Sequence, residues 1–350
     1  MTKTPPPSAI PKVSVIVPCY NHARFLKRRL QSIVDQTCQD FELILLDDAS
    51  VDGSRQLLQE FAKTRPARVI LNEQNTGSAF KQWNRGAREA QGDYLWIAES
   101  DDYAAPRFLE RLVAVMEGNP SVGLAYCDSW TVDEHEAVLG TWGAEYGRTV
   151  HPTRWQNDYA AKGERECVSC LLSRCTIPNA SAALFRREAY QRAAGAEEGL
   201  RLCGDWLTYV KILLLSDVAY LAEPLNYFRY HSQSVRSTTS VKQGLEEAYA
   251  VRAYICRKLG PNSSERRRAA RMGWREWYGA LGSLYLGEKK RFDWPWMGRV
   301  LRQAMVLDCW VLFRLAKGLV QIKTRNSRLL GPSYWWANRL LKGAGPARGG

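Results

Sequence analysis

Short apolar runs alternate with amphipathic helical patterns along the first part of the chain, and this alternation constrains the fold more than any other feature. The run Val13–Val17 is continuously apolar and β-branched, which is typical of a strand buried on both faces. Similar runs follow at Phe41–Leu46, Arg68–Leu71 and Tyr94–Ala98, with helical patterns between them. The alternation predicts βαβ units, and therefore an α/β fold with a mostly parallel central sheet and helices on both faces.

Charge divides the chain into two parts. Residues 241–350 carry 22 Lys and Arg against 7 Asp and Glu, whereas residues 1–240 carry 27 against 29. The net charge of +13 therefore comes from the second part alone. We predict a flexible N-terminus over 1–11, an α/β domain over 12–240, and a basic, tryptophan-rich, mainly helical region over 241–350.

The basic region 241–350 holds seven of the thirteen tryptophans. Within it, Met305–Ile322 is apolar but interrupted by Asp308, Arg314 and Lys317, so it is too short and too charged to span a bilayer. The pattern is typical of an amphipathic helix on an anionic membrane surface. The alternative is a helical subdomain that packs its tryptophans internally, and nucleic-acid binding is not expected, because no such module is recognisable. The seven are Trp274, Trp277, Trp294, Trp296, Trp310, Trp335 and Trp336.

The nine cysteines are scattered, mostly in apolar or helical contexts, which suits reduced thiols in the cytoplasm. Cys167, Cys170 and Cys175 have the closest spacing to a metal motif, but no second pair accompanies them, so zinc is not favoured. The start of the chain is polar and proline-rich rather than a secretory signal. We therefore expect a cytoplasmic protein, with peripheral contact to an anionic membrane as an option.

Polar residues follow each of the first four predicted strands. Ligands of open α/β sheets bind at the carboxyl ends of strands, so these segments are the candidate site. The four segments are Pro18–His22, Asp47–Asp48, Asn72–Gly77 and Glu99–Asp102.

Ser50, in the second of the strand-to-helix turns, is predicted to cap a helix over Asp52–Ala62.

The first strand-to-helix turn reads PCYNHARF and contains no glycine. A dinucleotide site or P-loop would need glycine there, so that backbone N–H groups could approach a phosphate. A metal is the alternative way to bind phosphate. Glu99, Asp101 and Asp102 offer the hard oxygen ligands that Mg²⁺ and Mn²⁺ prefer. The alternative is a solvated turn in which Asp102 caps the next helix, because the same sequence fits that structure.

Taken in order, these segments resemble the family 2 glycosyltransferases, which have the GT-A fold, over roughly residues 12–232. The resemblance is carried by the opening Val-Ser-Val-Ile-Val-Pro with its Tyr-Asn, the Asp-Asp-x-Ser-x-Asp-Gly-Ser stretch, an Asn-x-Gly turn and the Gly-Asp-Tyr strand before Glu99–Asp102, called the acidic quartet below. It implies an inverting enzyme that uses a nucleotide-sugar donor and Mn²⁺ or Mg²⁺.

The resemblance also implies roles for individual residues. Tyr20 matches the aromatic residue that stacks on the donor's base, and Asp48 the aspartate that hydrogen-bonds it, which favours a UDP- or dTDP-sugar. Asp101 matches the metal-binding aspartate, whereas Glu99 departs from the usual aspartate. Lys81 is either a diphosphate ligand or an exposed helical lysine. The implied donor-binding residues are Pro18, Tyr20, Asn21, Asp48, Lys81, Glu99, Ser100 and Asp101.

For transfer, the resemblance implies a general base at Asp205, where the first acid of the usual acidic pair is replaced by Gly204. A helix N-cap is the alternative role for Asp205. His231 matches a histidine that closes onto the metal or diphosphate in some relatives, and an ordinary surface histidine is the alternative. Residues expected on the acceptor side are Asp102, Asn179, Ser181 and Trp206.

These expectations together predict transfer of a sugar to a hydroxyl of a glycan or lipid-linked acceptor, in polysaccharide or cell-envelope assembly. Two rivals remain. A sugar-nucleotide nucleotidyltransferase would show a glycine-rich basic loop after the first strand, which PCYNHARF lacks. A degenerate transferase domain that binds membrane or nucleic acid is kept open by Glu99 and Gly204, and opposed by Asp101 and Asp205.

Overall fold

The computed structural model describes residues 10–273, 294–309 and 311. They fall into two compact units. The first comprises residues up to 163 together with 177–199 and 207–229, and the second comprises 164–176, 200–206 and the residues from 230 onward. Each unit therefore combines segments that are distant in the sequence, and each is described by itself below.

The first unit contains a ten-stranded sheet in which most neighbours follow the order β3-β2-β1-β4-β9-β6-β10-β5, with β7 beside β6 and β8 beside β10. Strands β3, β2, β1 and β4 run parallel, as do β6 and β10, whereas β9 is antiparallel to both its neighbours. The strands are β1 Val13–Cys19, β2 Phe41–Asp47, β3 Arg68–Leu71, β4 Tyr94–Ile97, β5 Tyr103–Ala104, β6 Val122–Val132, β7 Val138–Thr141, β8 Tyr159–Ala161, β9 Ala183–Arg186 and β10 Asp217–Arg229.

Helices flank this sheet, so the predicted α/β class is confirmed, and the sheet is mixed where a mostly parallel one was expected. The α-helices of the described residues, counted over both units, are α1 Ala23–Val34, α2 Ser54–Thr64, α3 Ala79–Glu89, α4 Phe108–Gly118, α5 Trp142–Glu145, α6 Gly163–Glu166, α7 Arg187–Arg192, α8 Gly204–Leu213, α9 Val235–Thr238, α10 Val241–Leu259, α11 at residues 263–273, and α12 Trp294–Leu307. Between them lie a π-helical turn over Cys167–Leu171 and a 3₁₀ turn over Ala180–Ala182.

The core of the first unit forms because β1 is buried on both faces, as its unbroken apolar sequence predicts. Helix α1 covers the sheet with Phe25, Leu26 and Leu30. Helix α3 approaches the sheet closely at Gly86, where a Cβ atom would lie 2.3 Å from Ile16 Cγ2. Glycine at this position therefore permits the contact between α3 and β1.

The strand register brings the predicted polar segments to one edge of the sheet. Cys19 at the end of β1 pairs with Asp47 at the end of β2, and the N–H of Asp48 donates to Cys19 O at 2.9 Å. On the other side of β1, the N–H of Ala98 donates to Ile16 O at 2.8 Å, which places the acidic quartet beside the end of β1. The clustering expected from parallel strands is thus confirmed.

One local prediction is wrong. Helix α2 begins at Ser54 with Gly53 before it, not at Asp52, and Ser50 does not cap it. Ser50 Oγ instead accepts a hydrogen bond from the N–H of Asn21 at 3.0 Å. The Ser50 hydroxyl, which the sequence predicted to cap a helix, therefore accepts a hydrogen bond from a residue that is distant in the sequence.

The second unit is mainly helical where it is described, with α10 packed against α12. The indole N–H of Trp296 donates to Lys242 O at 3.2 Å, and the Lys242 ammonium lies 5.5 Å from the same ring. Among the described residues, no helix has the length and apolarity needed to cross a membrane. Most of the predicted interfacial segment Met305–Ile322 and the side chains of the other six tryptophans of the basic region lie outside the described residues.

Candidate active site

The turn after β1 is joined to the turn after β2 by hydrogen bonds from three consecutive backbone N–H groups. Asn21 donates to Ser50 Oγ (3.0 Å), His22 to Ser54 Oγ (3.1 Å) and Ala23 to Asp52 Oδ2 (2.9 Å). These groups are the ones that a glycine-rich loop would direct at a phosphate. Because side chains of the second turn already accept from them, this turn does not offer a backbone phosphate site.

The residues expected to meet a nucleotide lie around this pair of turns. Tyr20 is 46% exposed, whereas Pro18 is buried within β1. Asn21 adopts a left-handed conformation with φ of 55°, which asparagine tolerates, and its Oδ1 accepts from the N–H of Val51 at 2.9 Å. The turn thus presents one large aromatic ring to solvent on a backbone that side chains hold in place.

Asp48 is buried and its carboxylate holds the loop after β3. It accepts from the N–H and the hydroxyl of Thr76 at 3.0 and 2.9 Å, from Asn72 Nδ2 at 2.8 Å and from Gln82 Nε2 at 3.0 Å. Lys81, on the exposed side of α3, donates to Thr76 O at 3.3 Å. The structure thus brings Asp48 and Lys81 to the same loop.

Glu99, the first acid of the quartet, faces α3. One of its carboxylate oxygens accepts from the indole N–H of Trp83. Burial raises the pKa of Glu99 to about 8, and the charge of Asp101 adds to the rise, while the bond from Trp83 opposes it. A carboxyl group engaged in this way is poorly suited to bind a cation directly.

Asp101 lies beside His22, which falls in the predicted segment Pro18–His22 but was not predicted to bind metal. A ring nitrogen of His22 and a carboxylate oxygen of Asp101 lie within 4.8 Å of each other. His22 Nδ1 and Ser100 Oγ are 2.8 Å apart, and a hydrogen bond of this kind fixes the orientation of a metal-binding imidazole. The pair combines one hard carboxylate oxygen, which Mn²⁺ and Mg²⁺ prefer, with one imidazole nitrogen, which is a ligand for transition metals rather than for Mg²⁺.

Asp102, the last residue of the quartet, is buried. Its Oδ1 accepts from the N–H of Arg229 at 2.9 Å, at the end of β10, and it interacts with the hydroxyl of Ser181. Burial raises the pKa of Asp102 to about 7, the charge of Asp101 adds to the rise, and Arg29 opposes it. Asp102 therefore connects the quartet to β10 and does not cap α4, which begins at Phe108.

Arg29 provides a buried positive charge beneath the quartet. It is 0% exposed, its Nε donates to Glu99 O at 2.8 Å, and its guanidinium lies 5.4 Å from the ring of Trp96. Burial lowers its pKa to about 10, while Asp102 and Asp101 oppose that change. The cluster of acids is thus partly neutralised from inside the protein.

The turn that carries Asn179 and Ser181 also contacts the quartet. Ser181 Oγ accepts from the N–H of Glu99 at 3.1 Å, and Asn179 Oδ1 accepts from the N–H of Ala182 at 2.9 Å. Both residues are buried. The structure therefore brings these two predicted acceptor-side residues to the strand end that carries the acids.

Three predicted residues, Asp205, Trp206 and His231, belong to the second unit. Asp205 lies in the first turn of α8, and its Oδ1 accepts from the N–H of Trp206 at 2.6 Å. Burial raises the pKa of Asp205 to about 6, although that hydrogen bond opposes the rise. Trp206 and His231 are buried. Asp205 is thus a carboxylate with raised proton affinity that is still mostly ionised at neutral pH.

Comparison with solved structures identifies the fold. The chain is similar to S. aureus TarS 1-349 in complex with UDP-GlcNAc, at a TM-score of 0.67 and 17% identity over 95% of this chain and 90% of that one. It is also similar to the mannosyltransferase PcManGT from Pyrobaculum calidifontis in complex with GDP-Man and Mn²⁺, at a TM-score of 0.54 and 18% identity over 93% and 90% of the two chains. The fold is that of a GT-A glycosyltransferase.

The family follows from sequence. The model of glycosyl transferase family 2 matches residues 14–193, slightly more than half of the chain. An uncharacterized glycosyltransferase from Nostoc sp. is 26% identical over 245 residues, which cover 68% of this chain and 71% of that protein. The chain belongs to glycosyl transferase family 2, and the predicted enzyme class is confirmed. The nucleotidyltransferase rival is thereby set aside.

Proposed function

We propose that this enzyme transfers a sugar from a nucleoside diphosphate to an acceptor hydroxyl, with inversion at the anomeric carbon and with Mn²⁺ or Mg²⁺ as cofactor. The observation that carries the proposal is the pairing of Asp101 with His22 at the edge of the sheet where the exposed ring of Tyr20 also lies. Ligands of α/β folds bind at this edge.

Donor binding is assigned to the two adjoining turns. Tyr20 stacks on the base, with Pro18 beside it and Asn21 shaping the turn. Asp48 is assigned to read the base by accepting an imide N–H, which selects uracil or thymine. Because Thr76, Asn72 and Gln82 already donate to its buried carboxylate, the imide must replace one of these donors. Lys81 faces the diphosphate. The complexes of TarS with UDP-GlcNAc and of PcManGT with GDP-Man support a nucleotide-sugar donor in general, and the former supports uracil.

The metal is assigned to Asp101 and His22, with Ser100 orienting the imidazole. When bound, the cation neutralises charge on the departing nucleoside diphosphate. His231 is a further ligand in this proposal. Glu99, engaged by Trp83, shapes the site without binding the cation.

The acceptor hydroxyl is deprotonated by Asp205. A general base works best when its pKa lies near the operating pH, and a value of about 6 keeps Asp205 ionised at neutral pH yet able to hold a proton. Trp206, Asn179, Ser181 and Asp102 are assigned to the acceptor side.

The acceptor is assigned as a glycan or a lipid-linked saccharide in polysaccharide or cell-envelope assembly, with the enzyme acting in the cytoplasm. The basic charge of residues 241–350 supports peripheral contact with an anionic membrane that would carry such an acceptor.

The test is calorimetric binding of UDP with and without Mn²⁺. Asp101→Ala should lose the Mn²⁺-dependent part of the affinity, while Asp93→Ala, an exposed acid that precedes the other end of β4, should keep it. Asp205→Asn should bind UDP and Mn²⁺ normally but release no UDP from a panel of UDP-sugars. Unchanged Mn²⁺-dependent affinity in Asp101→Ala would remove the metal assignment, and normal turnover in Asp205→Asn would remove the base.

A further inference from the structure

Glu247, on α10 in the second unit, binds the backbone directly before Asp205. Its two carboxylate oxygens accept three consecutive backbone N–H groups: Arg201 at 3.0 Å, Leu202 at 2.7 Å and Cys203 at 2.9 Å. Gln243 Nε2, one turn earlier on α10, donates to the same carboxylate at 3.0 Å. These four donors satisfy a carboxylate that is only 6% exposed.

A buried carboxylate is costly unless several donors satisfy it, and here three of the four belong to a single segment. That segment, residues 201–203, leads straight into Gly204 and Asp205 at the start of α8. A second residue of α10 acts on the other side of Asp205, because the buried Arg252 guanidinium lies 5.3 Å from the ring of Trp206 and donates to Ser173 O at 2.8 Å. Helix α10 thus contacts the chain on both sides of the proposed base.

We propose that Glu247 is a positioning residue for Asp205: by holding the N–H groups of residues 201–203 it keeps the first turn of α8, and with it the Asp205 carboxylate, in one orientation. The inference rests on the proposed role of Asp205. It extends the catalytic apparatus to α10, which lies outside residues 14–193 matched by the family model.

The charge of Glu247 adds a second effect. Beyond burial, the charged groups that act on Asp205 are Arg236 on α9, which lowers its pKa, and Glu247, which raises it. Removing the charge of Glu247 therefore lowers the pKa of Asp205. The acidic limb of the pH–rate profile should then move to lower pH, because the base ionises earlier.

The substitution Glu247→Gln tests both effects. An amide end turns one acceptor into a donor, so it opposes the N–H groups of the 201–203 segment. We expect UDP release from UDP-GlcNAc or the other UDP-sugars of the panel to fall by roughly ten- to a hundredfold, as misplacement of a reacting group does, and the acidic limb to move to lower pH. Glu247→Asp keeps the charge but shortens the reach, so it should lower the rate while leaving the limb near its wild-type position.

A substrate-free measurement accompanies these assays. Thermal unfolding of Asp205→Asn, Glu247→Gln and the double variant gives the coupling free energy between the two substitutions. This coupling should be measurable at about pH 8. It should be much smaller at about pH 5, because Asp205 is then largely protonated in the wild type. Glu246→Gln, which loses only a pairing with Arg299 on α12, should show no such coupling and normal turnover. This control keeps the helix and the charge change while sparing the 201–203 segment.

The outcomes separate the inference from the proposed function. If Asp205→Asn turns over normally, the base assignment fails, whatever Glu247 does. If Asp205→Asn is inactive but Glu247→Gln leaves both rate and acidic limb unchanged, Glu247 has no positioning role. A coupling that is equal at both pH values, with a rate loss matching the unfolded fraction, would reduce Glu247 to a purely structural residue and overturn the inference.

Discussion

The substitution Asp205→Asn is expected to make the protein more stable while it abolishes transfer. Asparagine has almost the same shape, and its side-chain oxygen can still accept from the N–H of Trp206, a bond of 2.6 Å in the wild type. The substitution therefore removes a charge and little else. The gain arises because the fold disfavours the ionised form of this carboxyl group, as its raised pKa shows.

The magnitude follows from the pKa. Asp205 has a pKa of about 6 in the folded protein against an ordinary 3.8. Two pKa units correspond to about 3 kcal/mol, and allowing for partial solvent contact leaves about 2 kcal/mol. Because the folded pKa is the higher one, the folded state binds the proton more tightly. The loss of stability caused by ionised Asp205 is absent when the pH lies below the ordinary pKa of 3.8. It grows between that pKa and about pH 6, and it is complete above about pH 6.

Thermal unfolding at about pH 4, 6 and 8 measures this effect. Asp205→Asn should raise Tm by roughly 3 °C at pH 8 and by almost nothing at pH 4. Asp217→Asn is a control with the opposite expected sign. Burial raises the pKa of Asp217, but hydrogen bonds from Lys162 and Ser121 outweigh burial, so the pKa is lowered overall. Removing this carboxylate should therefore lower Tm at pH 8. A Tm for Asp205→Asn at pH 8 equal to or below that of the wild type would refute the reasoning.

Three further outcomes are expected. Tyr20→Ala should weaken UDP binding by roughly ten- to a hundredfold through lost stacking, while Tyr20→Phe keeps it, as calorimetry can show. Arg29→Met should lower the free energy of unfolding by about 3 kcal/mol because buried acids lose their cation, and Mn²⁺ should then raise Tm more than in the wild type. UDP release at saturating donor should fall about tenfold per pH unit below about pH 6; a flat profile there would exclude Asp205 as the base.

The sheet and the acidic strand end were predictable because both depend on local pattern. Unbroken apolar runs such as Val13–Val17 identify buried strands, and parallel strands must bring their carboxyl ends to one edge. Motif order then identified the family. The position of Asp101 followed from the same reasoning, since the quartet continues directly from β4.

Other features depend on contacts between distant segments, which a single sequence does not encode in any local pattern. The hydroxyl of Ser50 looked like a helix cap until the Asn21 N–H, 29 residues away in sequence, competed for it. His22 could have been found as a histidine at the end of β1, but only the fold places it beside Asp101. Glu247 reads as an ordinary helical acid, and its role appears only when α10 meets residues 201–203.

Two turns of this protein share one device, although they belong to different units. Asp52 accepts from the N–H of Ala23 in the turn after β1, and Glu247 accepts from three N–H groups before Asp205. In both, a carboxylate from another part of the chain satisfies backbone donors that a bound anion could otherwise occupy. Such turns keep their shape without a ligand but offer little backbone attraction to phosphate. The positive charge that a diphosphate needs must therefore come from elsewhere, and Asp101 with His22 is suited to supply it by holding a cation.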